Sequence, residues 1–389
     1  MYSLVLMSQI KRPNRNQVKQ IGASGSLWAG AQDFSTLFVL VALIASSPSF
    51  WSIIALILRT DPQFLQSAVV VTFIKSSIWS IGLVFVAVKW ELATWVATRF
   101  FVPILLVGLT IMSTIWSLSP NETLRGSIQF LLIWVLGLGF ALKYDGADFA
   151  TYCGVTSALS IAFQIFIQIF ANNGGNIGFE YAELALSIVA ASWAMKTNGK
   201  YSVIWGGFAL FGSIIAIYAN DQASFGAAIG LLMALTIEII LRIVKSKALQ
   251  MAWLFVVVLA GAVIFIMIKG QLASFAISEL LDNLGSRSLF GIGFGTFDGA
   301  LFNEFGQGLG LFGLGVAVCL MIFGLYFSIF PPNSKSSSLY PAFGICGLII
   351  AAPNQVQFDS GIAIILCYAF YSNFCAENVR PKRKPIRKK

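Results

Sequence analysis

The chain has 389 residues, 58% of them apolar and 11% charged, against about 45–50% apolar and roughly 25% charged in soluble domains, which excludes a water-soluble fold. It contains no histidine, so imidazole acid–base catalysis, Ser-His-Asp and Cys-His nucleophile systems and HExxH zinc sites are excluded together. The net charge of +9 reflects membrane topology and not a nucleic-acid partner.

A helix needs about 20 mostly apolar residues to cross roughly 30 Å of hydrocarbon. Such runs recur along the chain and predict an all-α, polytopic membrane helix bundle of about twelve transmembrane helices. Residues 1–33 carry too short an apolar stretch before the basic cluster KRPNR to be a cleavable signal peptide, and are expected to remain as a cytoplasmic tail. The bundle is placed at 34–376. Its spans run approximately from Phe34 to Ile57, Leu65 to Val88, Ala97 to Leu118, Leu124 to Leu142, Ala150 to Ala171, Phe179 to Met195, Tyr201 to Ala219 and Ala223 to Leu241. They continue from Met251 to Ile268, Leu309 to Phe330, Tyr340 to Ala352 and Gly361 to Cys375, followed by a basic tail at 377–389. Of 25 Lys plus Arg, only Arg59, Lys75, Arg125, Lys269 and Arg287 fall on the side of the odd-numbered loops. The positive-inside rule then puts both termini in the cytoplasm and the segment 269–308 outside. The five cysteines lie in apolar runs without CxxC spacing and read as small buried residues, with no metal site and no cofactor motif, GxxxxGK[ST] included.

Taken in chain order, the unusual residues begin with Lys75. It falls mid-span, where a lysine costs roughly 2.5–3.5 kcal/mol on insertion scales, so it is expected to face the bundle interior, beside a carboxylate or an anionic substrate. In SLSPNETLRGS, Ser117 to Ser127, Pro120 and Asn121 make a turn and Thr123 is a candidate cap. Arg125, about one turn inside the span, opposes the helix dipole, which is explained by an anion bound there or by snorkelling to headgroups. Glu180 and Glu183 share a helix face at i, i+3, and Asp221 precedes a span; for both, helix-start stabilisation accounts for the carboxylates without chemistry. Glu238 is expected to pair with Arg242 at i+4. The richest segment is Lys269 to Gly308, where Arg287 precedes the alternating glycines Gly291, Gly293 and Gly295, and Asp298, Asn303 and Glu304 follow. Polar, glycine-rich backbone between spans is tolerated where it is buried in protein or lines a wet cavity.

The run WSLSPNETLRGS (116–127), the run SLFGIGFGTF (288–297) and the later GLGLFGLG (308–315) resemble the O-antigen ligase and Wzy-type polysaccharide polymerase superfamily, most of all its exopolysaccharide polymerases. The resemblance implies a bacterial inner-membrane, metal-independent glycosyltransferase. Such an enzyme joins undecaprenyl-pyrophosphate-linked oligosaccharide repeats at the periplasmic face, with lipid-linked oligosaccharide, membrane lipids and other assembly proteins as partners. It implies Arg125 and Arg287, with Lys75 and Lys269, as pyrophosphate contacts. Asn303, Glu180 and Asp221 become candidate glycan contacts. Where the family often has His-Asn this chain has Phe302-Asn303, so the general base passes to Glu304 or Asp298, or is absent. A glycan ligase is the near alternative. A polysaccharide transporter or flippase, which Lys75 and the short eleventh run would serve, and an inactive assembly scaffold are those of other classes.

Overall fold

The computed structural model describes residues 29–58, 69–171, 181–269, 289–295, 304–332, 338–352, 356–357 and 360–375. Both tails fall outside them. Among the described residues the chain is helical, with no strand. The elements are α1 (Ala29–Ala45), α2 (Pro48–Leu58), α3 (Val69–Val88), α4 (Trp90–Arg99), α5 (Val102–Met112), α6 (Pro120–Lys143) and α7 (Gly146–Ala171). They continue with α8 (Tyr181–Thr197), α9 (Ser202–Ala219), α10 (Gln222–Ile243), α11 (Lys247–Lys269), α12 (Gly310–Ile329), α13 (Leu339–Ala351) and α14 (Gly361–Cys375). A helix satisfies its backbone polar groups within one segment, which is what a hydrocarbon solvent demands. Six of these helices are long and apolar enough to cross a membrane, or up to eight if each of two bent pairs is one span, with shorter apolar helices at Lys247–Gly261, Leu339–Ala351 and Gly361–Cys375.

The two bent pairs correct the sequence reading, which runs straight through both. The first apolar run breaks by 73° between Ala45 and Pro48, and the third by 90° between Arg99 and Val102. A proline marks both positions: Pro48 and Pro103 sit in the first turn of α2 and α5, where the missing N–H is harmless, and Pro48 also biases Ser47 before it away from helical dihedrals.

The interior is a shaft of α6, α8, α13 and α14, and every described residue of α14 but Ser372 is buried. Around it stand helices such as α9, whose Val203, Ile217 and Tyr218 point outward. Lipid is as apolar as these side chains, so helices associate through close packing and polar contacts instead of apolar burial. Glycine does this at the α10–α13 crossing, where a methyl on Gly226 or Gly230 would overlap backbone at Gly347 or Phe343. Aromatic packing does it elsewhere, with Phe149 stacked on Tyr368 at 3.9 Å between ring centroids. Of the cysteines, Cys153, Cys346, Cys367 and Cys375 are buried as expected, but Cys319 lies on the exposed side of α12.

Polar contacts gather at one end of the shaft. Glu238 accepts from Arg242 one turn on, as its spacing predicts, and also from the Tyr340 hydroxyl, with Lys196 Nζ at 3.0 Å. Lys89 donates to the Leu142 carbonyl at the last turn of α6, the helix end that favours a cation. The start of α6 lies at the opposite end, and the glycine segment is folded onto it.

Candidate functional site

The site begins where α5 ends. A 3-10 turn, Ser113–Ile115, leads into Trp116–Ser119, and α6 starts at Pro120. The cap of α6 is not Thr123, as its residue type suggests. Ser119 occupies the cap position without a side-chain bond, while Ser117 Oγ accepts from the Ser119 N–H at 3.0 Å and pairs with Thr123 Oγ1 at 2.6 Å. Because Pro120 opens the helix, Arg125 lies beyond the turn whose N–H groups lack partners.

Residues 289–295 thread between this turn and the start of α12. On one side the Leu118 N–H donates to the Ile292 carbonyl at 3.0 Å, the Phe294 N–H to Ser113 Oγ at 3.1 Å and Trp116 Nε1 to the Phe290 carbonyl at 2.8 Å. On the other side the N–H groups of Ile292 and Gly293 donate to the carbonyls of Gln307 and Gly308 at 3.1 and 2.9 Å. The alternating glycines follow from this path. Gly291, Gly293 and Gly295 have φ of +68°, +116° and +79°, a region that L side chains avoid. Gly293 is also boxed in by the hydroxyls of Ser117 and Thr123, and a methyl on Gly126 of α6 would lie 3.1 Å from Gly295 Cα. Between the glycines, Phe294 is fully buried, its ring 5.4 Å from Phe130 and 5.8 Å from Phe305. The runs 116–127 and 288–297, remote in sequence, are thus in backbone contact.

Glu304 opens a single π-helical turn, Glu304–Gly308, ahead of α12. It is fully buried, and its Oε2 accepts from the Gly295 N–H at 2.5 Å. In this arrangement its carboxylate orders the glycine segment. Arg125 is exposed on the first turns of α6 and donates to Thr72 Oγ1 of α3. Lys75 follows Thr72 by one turn on the same helix face and is buried, as its mid-span position requires. The structure thus brings Arg125 onto α3 one turn before Lys75. It separates Asp221, which caps α10 through the N–H groups of Ala223 and Ser224 at 3.2 and 2.7 Å. Lys269 closes α11, but its side chain is outside the described residues, as are Glu180, Arg287, Asp298 and Asn303.

One feature escapes the sequence reading. Glu183 in the first turn of α8 is buried and accepts from Ser47, from the hydroxyl and N–H of Ser49, and from Gln164 Nε2 at 3.0 Å. Its partners lie at the bend between α1 and α2 and on α7. The signal was the run Ser46-Ser47-Pro48-Ser49, three hydroxyls and a proline inside an apolar stretch. A cavity of about 70 Å³ adjoins it. A second, apolar cavity beside Phe305, lined by Trp134 and Met321, shares Gln357 and Ile362 with the first. Among the described residues no group of three His, Cys, Asp or Glu side chains is placed to hold a metal ion. No family model, curated protein or solved structure matches the chain.

Proposed function

We propose that the chain polymerises lipid-pyrophosphate-linked oligosaccharide repeats on the outer face of a bacterial inner membrane. In this reading the bundle crosses about twelve times, both termini are cytoplasmic, and the end that carries Arg125 and the glycine segment is periplasmic. The observation that carries the proposal is the docking of residues 289–295 onto the turn before α6. It joins in space two of the three runs that resemble the polymerase and ligase superfamily, 116–127 and 288–297. Arg125, on the exposed face beside Gly126, is an arginine next to that junction among the described residues, and its guanidinium suits two oxygens of a leaving pyrophosphate.

Alanine at Arg125 or Arg287 is expected to stop chain growth while the protein stays inserted and folded. Polymer of normal length from both variants would overturn the site assignment. A polymerase and a ligase are separated by a deletion strain, since loss of the polymerase leaves single repeats and loss of the ligase leaves long polymer on its lipid carrier. The Glu304→Gln variant, assayed in liposomes with lipid-linked substrate supplied on one face, tests the base. Loss of 10²- to 10⁴-fold is typical for a base, whereas a carboxylate that only orders the glycine segment gives a smaller change that follows stability.

A second reading, a transporter or flippase of lipid-linked sugar, draws on the broken helix α1–α2 with a buried carboxylate at its bend. Transbilayer movement without chain extension in the same liposomes would select it.

A further inference from the structure

A carboxylate buried in a helix bundle needs a compensating charge or a proton, and Glu183 has no ion-pair partner among the described residues. It is 6% exposed, its hydrogen-bond donors are neutral, and no lysine or arginine lines the adjoining cavity among the described residues.

The hydroxyls of that cavity deepen the imbalance, because each has one proton to give. Ser46 donates to the Ala42 carbonyl at 2.8 Å, Ser187 to the Glu183 carbonyl at 2.8 Å, Ser360 to the Gln357 carbonyl at 2.7 Å and Thr156 to the Cys153 carbonyl at 2.9 Å. Ser47 gives its proton to Glu183 Oε1, so in the Ser47–Ser160 contact at 3.2 Å the donor is Ser160. With these protons committed, and with Ser46 also accepting from Trp79 Nε1 at 3.0 Å, the cavity receives chiefly lone pairs and one carboxylate, the Ser157 hydroxyl remaining to turn either way. Among the described residues its wall is acceptor-rich and carries a single negative charge. The apolar remainder, Leu43, Leu186 and Ile365 among it, includes no aromatic ring among the described residues for a sugar to stack on. At about 70 Å³ the space suits a small ion with part of its hydration.

We infer that this cavity binds a monovalent hard cation, sodium, through the Glu183 carboxylate and the hydroxyl oxygens of Ser47 and Ser160. Oxygen-only donors select hard cations. The one carboxylate among the described lining residues balances one charge, whereas calcium sites gather more carboxylates and more oxygens. The broken helix contributes from both sides. The Ser49 N–H at the start of α2 is taken up by Glu183 at 3.3 Å, and the carbonyl end of α1 brings its partial negative charge to the same bend. The bend is further tied to α14, whose Gly361 N–H donates to the Ser46 carbonyl at 3.3 Å. An ion here would therefore brace α1, α2, α7 and α8 together. The inference is independent of the glycan chemistry proposed above.

The test is the thermal unfolding midpoint of the purified full chain in nanodiscs, measured against sodium chloride with choline chloride holding ionic strength constant, at neutral and acidic pH. A ligand that binds the folded state alone raises the midpoint saturably. Wild type and Glu304→Gln are expected to show that rise, and Glu183→Gln to lose it. Should Glu183→Gln fail to fold, Ser160→Ala carries the test, with half-saturating sodium expected to increase roughly tenfold for one lost ligand. A wild-type midpoint indifferent to sodium overturns the site, as does one that responds only to pH, which would make Glu183 a proton site. An unchanged sodium response in Glu183→Gln, or an unchanged half-saturation in Ser160→Ala, overturns it equally.

Discussion

Two glutamates, both buried near places where a helix begins, are held in different ways. Glu304 meets the Gly295 N–H, with Gly308 packed so close that an added methyl would lie 3.3 Å from its Oε2. Glu183 meets the Ser49 N–H but also two side-chain hydroxyls and an amide that can rotate, and it borders a cavity. The first carboxylate fixes a backbone path and the second fixes three helices while keeping an open side. Burial alone therefore does not say whether a charge is mortar or a docking point. The partner type does: an N–H group on a constrained backbone is a single-use contact, and a rotatable hydroxyl can be shared with a ligand.

The largest expected effect is at the glycines around Glu304. Gly293→Val places a branched side chain at φ +116° against the hydroxyls of Ser117 and Thr123. It is expected to destabilise by on the order of 3 kcal/mol or more through backbone strain and overpacking together, read as loss of folded protein after detergent extraction. Gly315→Ala on α12, with nothing within 4 Å of the added methyl, should be neutral or stabilise by up to about 1 kcal/mol. Equal losses at both positions would break the claim that the glycine segment is tightly packed.

Next comes truncation of the carboxylate itself. Glu304→Ala strands the Gly295 N–H and is expected to cost about 2–3 kcal/mol, whereas Glu304→Gln retains an acceptor and should cost roughly 1 kcal/mol. At Glu183 the contrast should be shallower. Rotatable hydroxyls and water entering the cavity can re-pair, so Glu183→Ala and Glu183→Gln are expected to fall within about 1 kcal/mol of each other when sodium is absent. Urea or thermal midpoints of the four variants, measured side by side, decide it; a steeper Ala-to-Gln contrast at Glu183 than at Glu304 would reverse the assignment of the two roles.

The smallest effect calibrates the rest. Glu238 is a third glutamate, more open than the other two, and its partner Arg242 is 74% exposed. Arg242→Ala should change stability by about 0.3–0.5 kcal/mol, and a loss approaching that of Glu304→Ala would show that exposed pairing matters far more here than in water.

Some of this was legible in the sequence, for local reasons. Apolar run length announces helices, Lys75 must turn inward because lipid will not hold it, and Asp221 and the Glu238–Arg242 pair follow from spacings of four residues or fewer. The bends at Pro48 and Pro103 carried a signal, the prolines themselves, that run length overrode. What could not be read is long-range pairing. Glu183 finds Ser47 across 136 positions and the Phe294 N–H finds Ser113 across 181. Nothing local distinguishes a carboxylate that merely opens a helix from one that also gathers three others. The alternating glycines were visible, but that the turn before α6 requires them was not.

The left-handed backbone at residues 291, 293, 295 and 310 also bears on how far the chain can drift under mutation. Helices such as α9 face lipid, where one apolar residue serves as well as another, so random substitution there should leave little trace. The four glycine positions admit no alternative without strain, since the space and the dihedral angles are both already taken. A saturation-mutagenesis library selected only for insertion would thus show a steep gradient of tolerance, from α9 at the periphery to these positions at the mouth of the bundle. The boundary of the intolerant zone would outline, residue by residue, the part of the molecule whose shape is settled by backbone instead of by side chains.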